Sequence, residues 1–513
     1  MGDAVAEDHA VTWSERAVRD PLIRPERYAF FDKLLFAVFI LAVPVFIASH
    51  WTVFRDGDVS WHVAAGRWIV EHGRVPSTDP FSFTMAGKPW IAFEWGAEVI
   101  YWLAYRAAGF AGLAAVVAAA LMALFLSLFG YLRSRAGPVA LLVALVVSYL
   151  VLQPFVMARP HVLGWPFLAA WTALLFSYRD KKRSPPLALA VIIFVWANLH
   201  GSYFAGFIVA AAVALDALSE AGWNRQALAR WLMFGVACLL ASLLNANGIA
   251  GVLHPLTISG MTSLPNIGEW QASSPRSTPI FYFALLAVTG ALLWKRPKFR
   301  AGEILLLVVT LAMALTHIRH QSVFVILAVL IVTPKLAHPA RQQSGPLFSS
   351  KAQARTWAAA AGLVAVVLLG VRTAIPLVPR ETFSNPRGLL AHVPADLRSQ
   401  PMINEYSMGG PLILAGIRPY IDGRADMYGD DFFKDYLKIM DGDRQAFDRA
   451  VRKYDIRWTM LQEGGRLAQE LDASADWRKV YSDRVGVIHV RRGDAAGQKA
   501  PSCSENAKRE YCR

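Results

Sequence analysis

Long apolar runs separated by short polar links fill the chain from about residue 34 to 373. A bilayer core of about 30 Å takes about 20 mostly apolar residues per helix. By that measure about eleven segments read as transmembrane helices, at roughly 34–53, 111–131, 138–157, 162–178, 186–200, 202–218, 229–246, 279–294, 302–316, 321–336 and 355–373. Segment 54–110 interrupts them early. Its stretches 60–72 and 93–105 mix Trp, Tyr and Val with Arg, Glu and His, as amphipathic helices lying in the membrane interface do. Between them, Pro76-Ser77-Thr78-Asp79-Pro80 reads as a turn. After residue 374 the pattern changes. Short strands at 402–404, 419–422, 458–461 and 485–490 alternate with helices at 432–440, 444–453 and 466–471, which predicts a small sheet with helices packed on it. The expected fold is a polytopic α-helical membrane protein with a C-terminal soluble α/β domain. Its parts are an N-terminal segment 1–33, a transmembrane domain 34–373 with an outer loop 54–110, an α/β domain 374–493, and a flexible tail 494–513.

The links give an orientation. Arg133 and Arg135, then Arg179-Asp180-Lys181-Lys182-Arg183, Arg225 and Arg230, Lys295-Arg296 with Lys298 and Arg300, and Lys335, Arg341, Lys351 and Arg355 share one side. The positive-inside rule makes that side cytoplasmic. The N-terminus joins it through Arg16, Arg19, Arg24, Arg27 and Lys33. Composition agrees: 55% of the residues are hydrophobic and 18% charged, against about 45–50% and about 25% in soluble domains. The formal charge of +14 falls mostly in those links, so it needs no nucleic-acid partner. Three cysteines exclude a disulfide scaffold. Cys238 reads as packing, and Cys503 and Cys512 pair if the tail meets an oxidising compartment. The first span is too long for a signal core and is expected to stay as an anchor.

The conspicuous polar residues gather on the other face. Asp56 and Asp58 stand just behind the first span, where a carboxylate is costly unless it has a partner or a task. They suit a general base or a metal-binding pair. A helix-ending turn with Gly57 at φ > 0 has the same sequence. Arg159 and His161 occupy one tight link, and His317, Arg319 and His320 another. Both could grip a phosphate, or snorkel to lipid headgroups. His200 lies in a link that is either a plain reverse turn or part of a cavity lining. Glu94-Trp95 and Glu269-Trp270 each set a carboxylate beside an indole, which suits a sugar or an interfacial belt. The run Tyr420-Ile421-Asp422-Gly423-Arg424-Ala425-Asp426-Met427-Tyr428 follows a strand and reads most simply as a turn with an internal Asp–Arg pair.

Taken together, Asp56-Gly57-Asp58-Val59-Ser60-Trp61-His62 with Gly66, Pro76 and Asp79-Pro80-Phe81-Ser82, then Arg159-Pro160-His161, Trp196-Ala197-Asn198-Leu199-His200-Gly201, the Tyr420 to Tyr428 run and the closing 477–481 segment resemble the GT-C superfamily of integral membrane glycosyltransferases, in an uncharacterised bacterial group. The resemblance implies a GT-C-like membrane domain in a bacterial inner membrane, with the C-terminal domain periplasmic. It implies transfer of a sugar from a polyprenyl-phosphate donor to an acceptor glycan, lipid or protein on that face. The family's first-loop Asp, as base or metal partner, maps onto Asp58 or Asp56. The glycine between them departs from a strict paired-Asp motif and leaves a divalent cation (Mg or Mn) optional. Arg159, His161, His200, Arg319, His320, Glu94, Glu269 and Trp270 become candidates for binding substrate. Two other classes fit the layout: a catalytically inactive lipid-binding scaffold or transporter, and a lipid-linked oligosaccharide polymerase or ligase.

Overall fold

The computed structural model describes residues 32–337, 367 and 377–492. The expected span 355–373, the N-terminal segment and the two tail cysteines therefore lie wholly or almost wholly outside the described residues. The helical part comprises α1 (Val43–Ala48), α2 (Asp58–His72), α3 (Trp95–Leu132), α4 (Pro138–Leu152), α5 (Pro160–Asp180), α6 (Ala190–Ala197), α7 (Tyr203–Glu220), α8 (Arg225–Leu243), α9 (Gly248–Ser259), α10 (Pro279–Lys295), α11 (Ala301–Thr316) and α12 (Gln321–Leu336).

Among the described residues, five helices are long and apolar enough to cross a membrane: Trp95–Leu132, Pro138–Phe155, Tyr203–Glu220, Arg225–Leu243 and Ile318–Leu336. This is fewer than the eleven expected. Proline and local geometry explain much of the gap. The first expected span becomes a π-helical stretch Phe36–Ala42, the six-residue α1 and a 3₁₀ turn Trp51–Phe54. At 186–200 the Pro185-Pro186 pair delays the helix, since proline removes backbone donors and fixes φ. Only the eight residues of α6 remain. The helices α10 and α11 are apolar but hold 17 and 16 residues.

The long helix α3 is the spine. It merges the expected interfacial helix 93–105 with the span 111–131 across a kink, where Gly109 takes φ +57°. Leu113, Val117, Leu121, Leu124 and Leu128 recur every three or four residues and are all buried. That stripe packs α3 against α5, and its first segment packs against α2. Where α2 crosses α3, Gly66 is required. A Cβ there would collide with the carbonyl of Glu98. At the other extreme, α10 buries only Phe281 and exposes Phe283, Leu286, Leu293 and Trp294, a face suited to lipid.

The C-terminal part adds α13 (Arg387–His392), β1 (Met402–Asn404), α14 (Gly409–Leu414), α15 (Ala425–Met440), α16 (Arg444–Tyr454), β2 (Trp458–Gln462), α17 (Arg466–Ala473), β3 (Trp477–Ser482) and β4 (Gly486–Arg491). The sheet order is β1-β2-β4-β3, with β1 parallel to β2 and the other pairs antiparallel. The expected strand 419–422 is a loop instead. Pro419 has no N–H, and the Asn404 side chain replaces a ladder: it accepts from the Tyr420 N–H at 2.8 Å and donates to the Ile421 carbonyl at 2.8 Å. β3, not expected as a strand, takes the sheet edge.

This domain is stitched to the outer loop. Arg424 is 1% exposed. It binds Asp422 through two donors at 2.7 Å each, and Asp79 of the outer loop at 2.7 Å. Tyr428 donates to Asp422 at 2.7 Å, and the Phe81 and Ser82 N–H groups donate to Asp79. Phe81 and Trp90 cover the guanidinium. Helix α9 and the loop after it join the same body, with His254 of α9 against Asp426 at 2.9 Å and the Thr262 and Ser263 N–H groups on Asp430. Removing one member of a buried ion cluster strands the others. Arg424→Ala should therefore lower stability by about 3–5 kcal/mol, as breaking a buried pair does. Denaturant titration of purified protein in detergent measures this, and a loss below about 1 kcal/mol would mean the cluster behaves as a surface pair.

Candidate functional site

The turn before α2 begins the site. Asp56 accepts from the Asp58 N–H at 3.0 Å, an Asx turn that starts the helix rather than ending one. Asp58 then lies in the first turn of α2, where aligned peptide dipoles favour a carboxylate. Gly57 has φ −63°, so its role is not left-handed geometry. It permits close approach, since a Cβ would strike the Ser407 carbonyl. The neighbouring C-terminal glycines act alike: a Cβ on Gly410 would meet the Gly57 carbonyl, and one on Gly423 the Asp58 carboxylate. The C-terminal domain thus closes directly on the Asp56-Gly57-Asp58 turn.

Arg159 arrives from α5. A residue before proline is driven to extended backbone, and Arg159, at φ −121° and ψ 154°, caps α5 ahead of Pro160. Its Nη1 donates to Asp56 Oδ2 at 2.9 Å and to Glu269 Oε2 at 3.1 Å, and its Nη2 lies 3.1 Å from Asp58 Oδ2. Glu269 stands in the 3₁₀ turn Gly268–Trp270, and Arg319 in the 3₁₀ turn Ile318–His320. Arg319 Nη1 donates to Glu269 Oε1 at 3.1 Å and its guanidinium lies 4.3 Å from the Trp270 ring centre. Two hydrogen bonds hold these turns together: Ile318 N–H to Gln271 O at 3.0 Å, and His317 Nδ1–H to Trp270 O at 2.7 Å. Asp56, Asp58, Arg159, Glu269 and Arg319 form one continuous charged chain.

Beside it lies a second polar layer. His200 Nδ1 accepts from the Ser202 N–H at 3.0 Å, which leaves the proton on Nε2, facing Glu94 Oε1 at 3.3 Å. His62, 1% exposed, sits 3.9 Å from Glu94 and 3.5 Å from Glu98. His161 donates to the Phe155 carbonyl at 2.8 Å, with its ring centre 6.3 Å from that of His200. His320 points back to the Met313 carbonyl at 3.4 Å, behind Trp270. The Trp95 indole is spent on Asn198 at 2.8 Å. His62, Glu98 and Tyr406 are neighbours that the sequence reading did not single out. Tyr406 donates to the Gly423 carbonyl at 3.1 Å. The i, i+4 spacings Asp58/His62 and Glu94/Glu98 were the available signal for two of them.

The charges here are unevenly titratable. Burial, then the neighbouring Asp56 charge, push Asp58 up to about 7 against the pull of Arg159. Burial likewise raises Glu94 to about 8. For Glu269 burial acts upward, but Arg159 and Arg319 outweigh it and hold the carboxyl at about 2. Burial and the charges of His161, Arg319 and Arg159 keep His200 neutral. The arrangement can present a carboxylate that exchanges a proton near neutrality beside two fixed cations.

No family model matches the sequence and no curated protein matches it. The fold does match solved structures. The oligosaccharyltransferase of Archaeoglobus fulgidus in its apo form matches with a TM-score of 0.55 at 11% identity, over 85% of this chain and 69% of that one. The structure of that protein tethered by a disulfide bond to an acceptor peptide containing the NVT sequon gives 0.52 at 10% identity, over 85% and 68%. At such identity the likeness is one of fold: apolar helices long enough to cross a membrane and a small C-terminal sheet domain, arranged as in that protein.

Proposed function

We propose that the protein is a membrane glycosyltransferase that moves a sugar from a polyprenyl-phosphate donor to an acceptor on the periplasmic face of a bacterial inner membrane. The observation that carries this reading is the chain Asp56–Arg159–Asp58 with Glu269 and Arg319, at one end of a bundle that shares its fold with an oligosaccharyltransferase. The donor enters laterally from the lipid. Arg319, and the donors of Arg159 not already used on carboxylates, hold its phosphate. A guanidinium has five N–H groups, and the three carboxylates account for three of those on Arg159. Asp58 takes the proton of the acceptor hydroxyl, and Asp56 orients it. The acceptor oxygen bonds to the anomeric carbon as the carbon–phosphate-oxygen bond breaks. Polyprenyl phosphate leaves with the electron pair, and the anomeric centre inverts. Positioning and a stabilised leaving group supply the rest of the acceleration.

The rival with most support from composition is a catalytically inactive lipid-binding scaffold. A carboxyl held near neutrality beside two guanidiniums favours the enzyme, because a scaffold has no use for an exchangeable proton there. Incubating the purified protein with a panel of polyprenyl-phosphate sugars separates the two: lipid binding without transfer or hydrolysis would favour the scaffold.

Two outcomes are expected. Asp58→Asn should reduce transfer at least about 100-fold, the lower range for loss of a general base, while the protein stays folded. Normal turnover by that variant would end the assignment. The pH profile should also report the base. Asp58 works when deprotonated, so kcat/KM should climb with pH through an inflection near 7 and then level. In Asp56→Asn, loss of the neighbouring negative charge should move the inflection to lower pH. A flat profile over about one pH unit on either side of that inflection would count against Asp58 as the base.

A further inference from the structure

We infer that the Arg159 guanidinium is the built-in cation of this site, standing where a divalent metal would otherwise bridge Asp56, Asp58 and Glu269, so that transfer needs no Mg²⁺ or Mn²⁺. Its chemistry rests on the glycosyl-transfer reading; its geometry does not. A hard divalent ion takes several oxygen ligands at about 2.0–2.6 Å. The side chains that would provide them here are Asp56 and Asp58, with Glu269 as the third carboxylate. All three end on one guanidinium, at 2.9, 3.1 and 3.1 Å. A planar fork with donors on two edges is the shape that gathers several carboxylates around one centre of charge.

A metal ion set among those oxygens would lie beside a group that stays protonated at any working pH. Like charges at a few ångströms repel strongly where water is scarce, and the Arg159 side chain is 17% exposed. The backbone that carries Arg159 is also held in place. Pro160 fixes the backbone that follows it, and its own N–H donates to the Met157 carbonyl at 2.8 Å. Among the described residues, no three His, Cys, Asp or Glu side chains are arranged to hold an ion. The donor set and the charge balance therefore do not fit a metal. Through the donors it spends on carboxylates, Arg159 neutralises the acidic cluster and holds Asp56 and Asp58 in register.

The test is Mn²⁺ titration of the full-length, chelator-treated protein in detergent, read by electron paramagnetic resonance, beside transfer assays with and without EDTA. The wild type should bind no Mn²⁺ that depends on Asp56, and EDTA should leave the transfer rate unchanged. Arg159→Ala should gain a Mn²⁺ site at least about tenfold tighter than any in the wild type, as removal of a nearby positive charge requires. Adding Asp56→Asn to that variant should abolish it. Arg159→Gln, neutral and closer in length, gives the same readout if the alanine variant does not fold. A wild-type Mn²⁺ site lost in Asp56→Asn would overturn the inference, and so would a folded Arg159→Ala or Arg159→Gln protein that gains no site. The metal readout needs no turnover, so failure of the glycosyl-transfer reading would show in the assays alone and leave this test intact.

Discussion

Three carboxylates can share one corner of a protein only if positive charge sits among them, and in this chain Arg159 meets that constraint. Asp56 and Asp58 come from the turn before α2, Glu269 from the link after α9, and Arg159 from the start of α5. The aspartates, Glu269 and Arg159 come from three different parts of the chain, so each ion pair is also a statement about packing. If Arg159 moved, the acidic side chains would repel one another and the two turns would lose their common partner. Arg319 extends the chain by taking the other Glu269 oxygen. The net charge then stays close to balance, while Asp58 keeps a proton that it can exchange. A site whose carboxylates were all deeply ionised would hold a phosphate poorly.

The second constraint is the seam between the outer loop and the C-terminal domain. Arg424 ties Asp79 to Asp422 across 345 residues, and Asn385 donates to the Phe54 carbonyl across 331. These bonds press Gly410 and Gly423 against the Asp56-Gly57-Asp58 turn. The C-terminal domain is therefore a wall of the site and not an appendage. Contacts so distant in sequence form only after nearly the whole chain exists, since loop closure must precede any gain from them.

Much of this was readable in the sequence, for one physical reason. Charge next to a membrane span is costly, so Asp56, Asp58, Arg159, Glu269 and Arg319 stood out against their apolar surroundings. Their pairings were not readable. Arg159 and Glu269 are 110 residues apart, and nothing local records which links face each other. His62 and Glu98 escaped because a polar residue at i+4 looks like the ordinary face of an amphipathic helix. The strand errors have equally local causes. The segment 419–422 sets the strand-favouring Tyr420 and Ile421 side by side, yet the Asn404 side chain takes their hydrogen bonds. In β3 only Trp477 is buried, and the charged Arg478 and Lys479 are what an edge strand carries to avoid pairing with other chains. Five of the expected spans appear among the described residues as helices long and apolar enough to cross a membrane; counting apolar length alone passed over the proline pair at 185–186 and the shortness of α10 and α11.

The opposite end of the bundle carries a second buried charged cluster. Arg179, buried at the end of α5, pairs with Asp216 at 2.9 Å and Glu303 at 3.2 Å. Lys335 reaches the same Glu303 at 3.0 Å, and the Gly302 N–H donates to Asp216 at 2.6 Å. With its 21 residues, α5 runs from Arg159 to this second cluster over about 30 Å, at 1.5 Å per residue. That is close to the thickness of a bilayer core. One helix thus carries an arginine anchored by carboxylates at each end, with apolar packing along α3 and α12 between. Between the two clusters, residues 162–178 of α5 carry no Asp, Glu, Lys or Arg. The Asp56–Arg159–Asp58 chain lies at one end of α5 and the Arg179–Asp216–Glu303 cluster at the other.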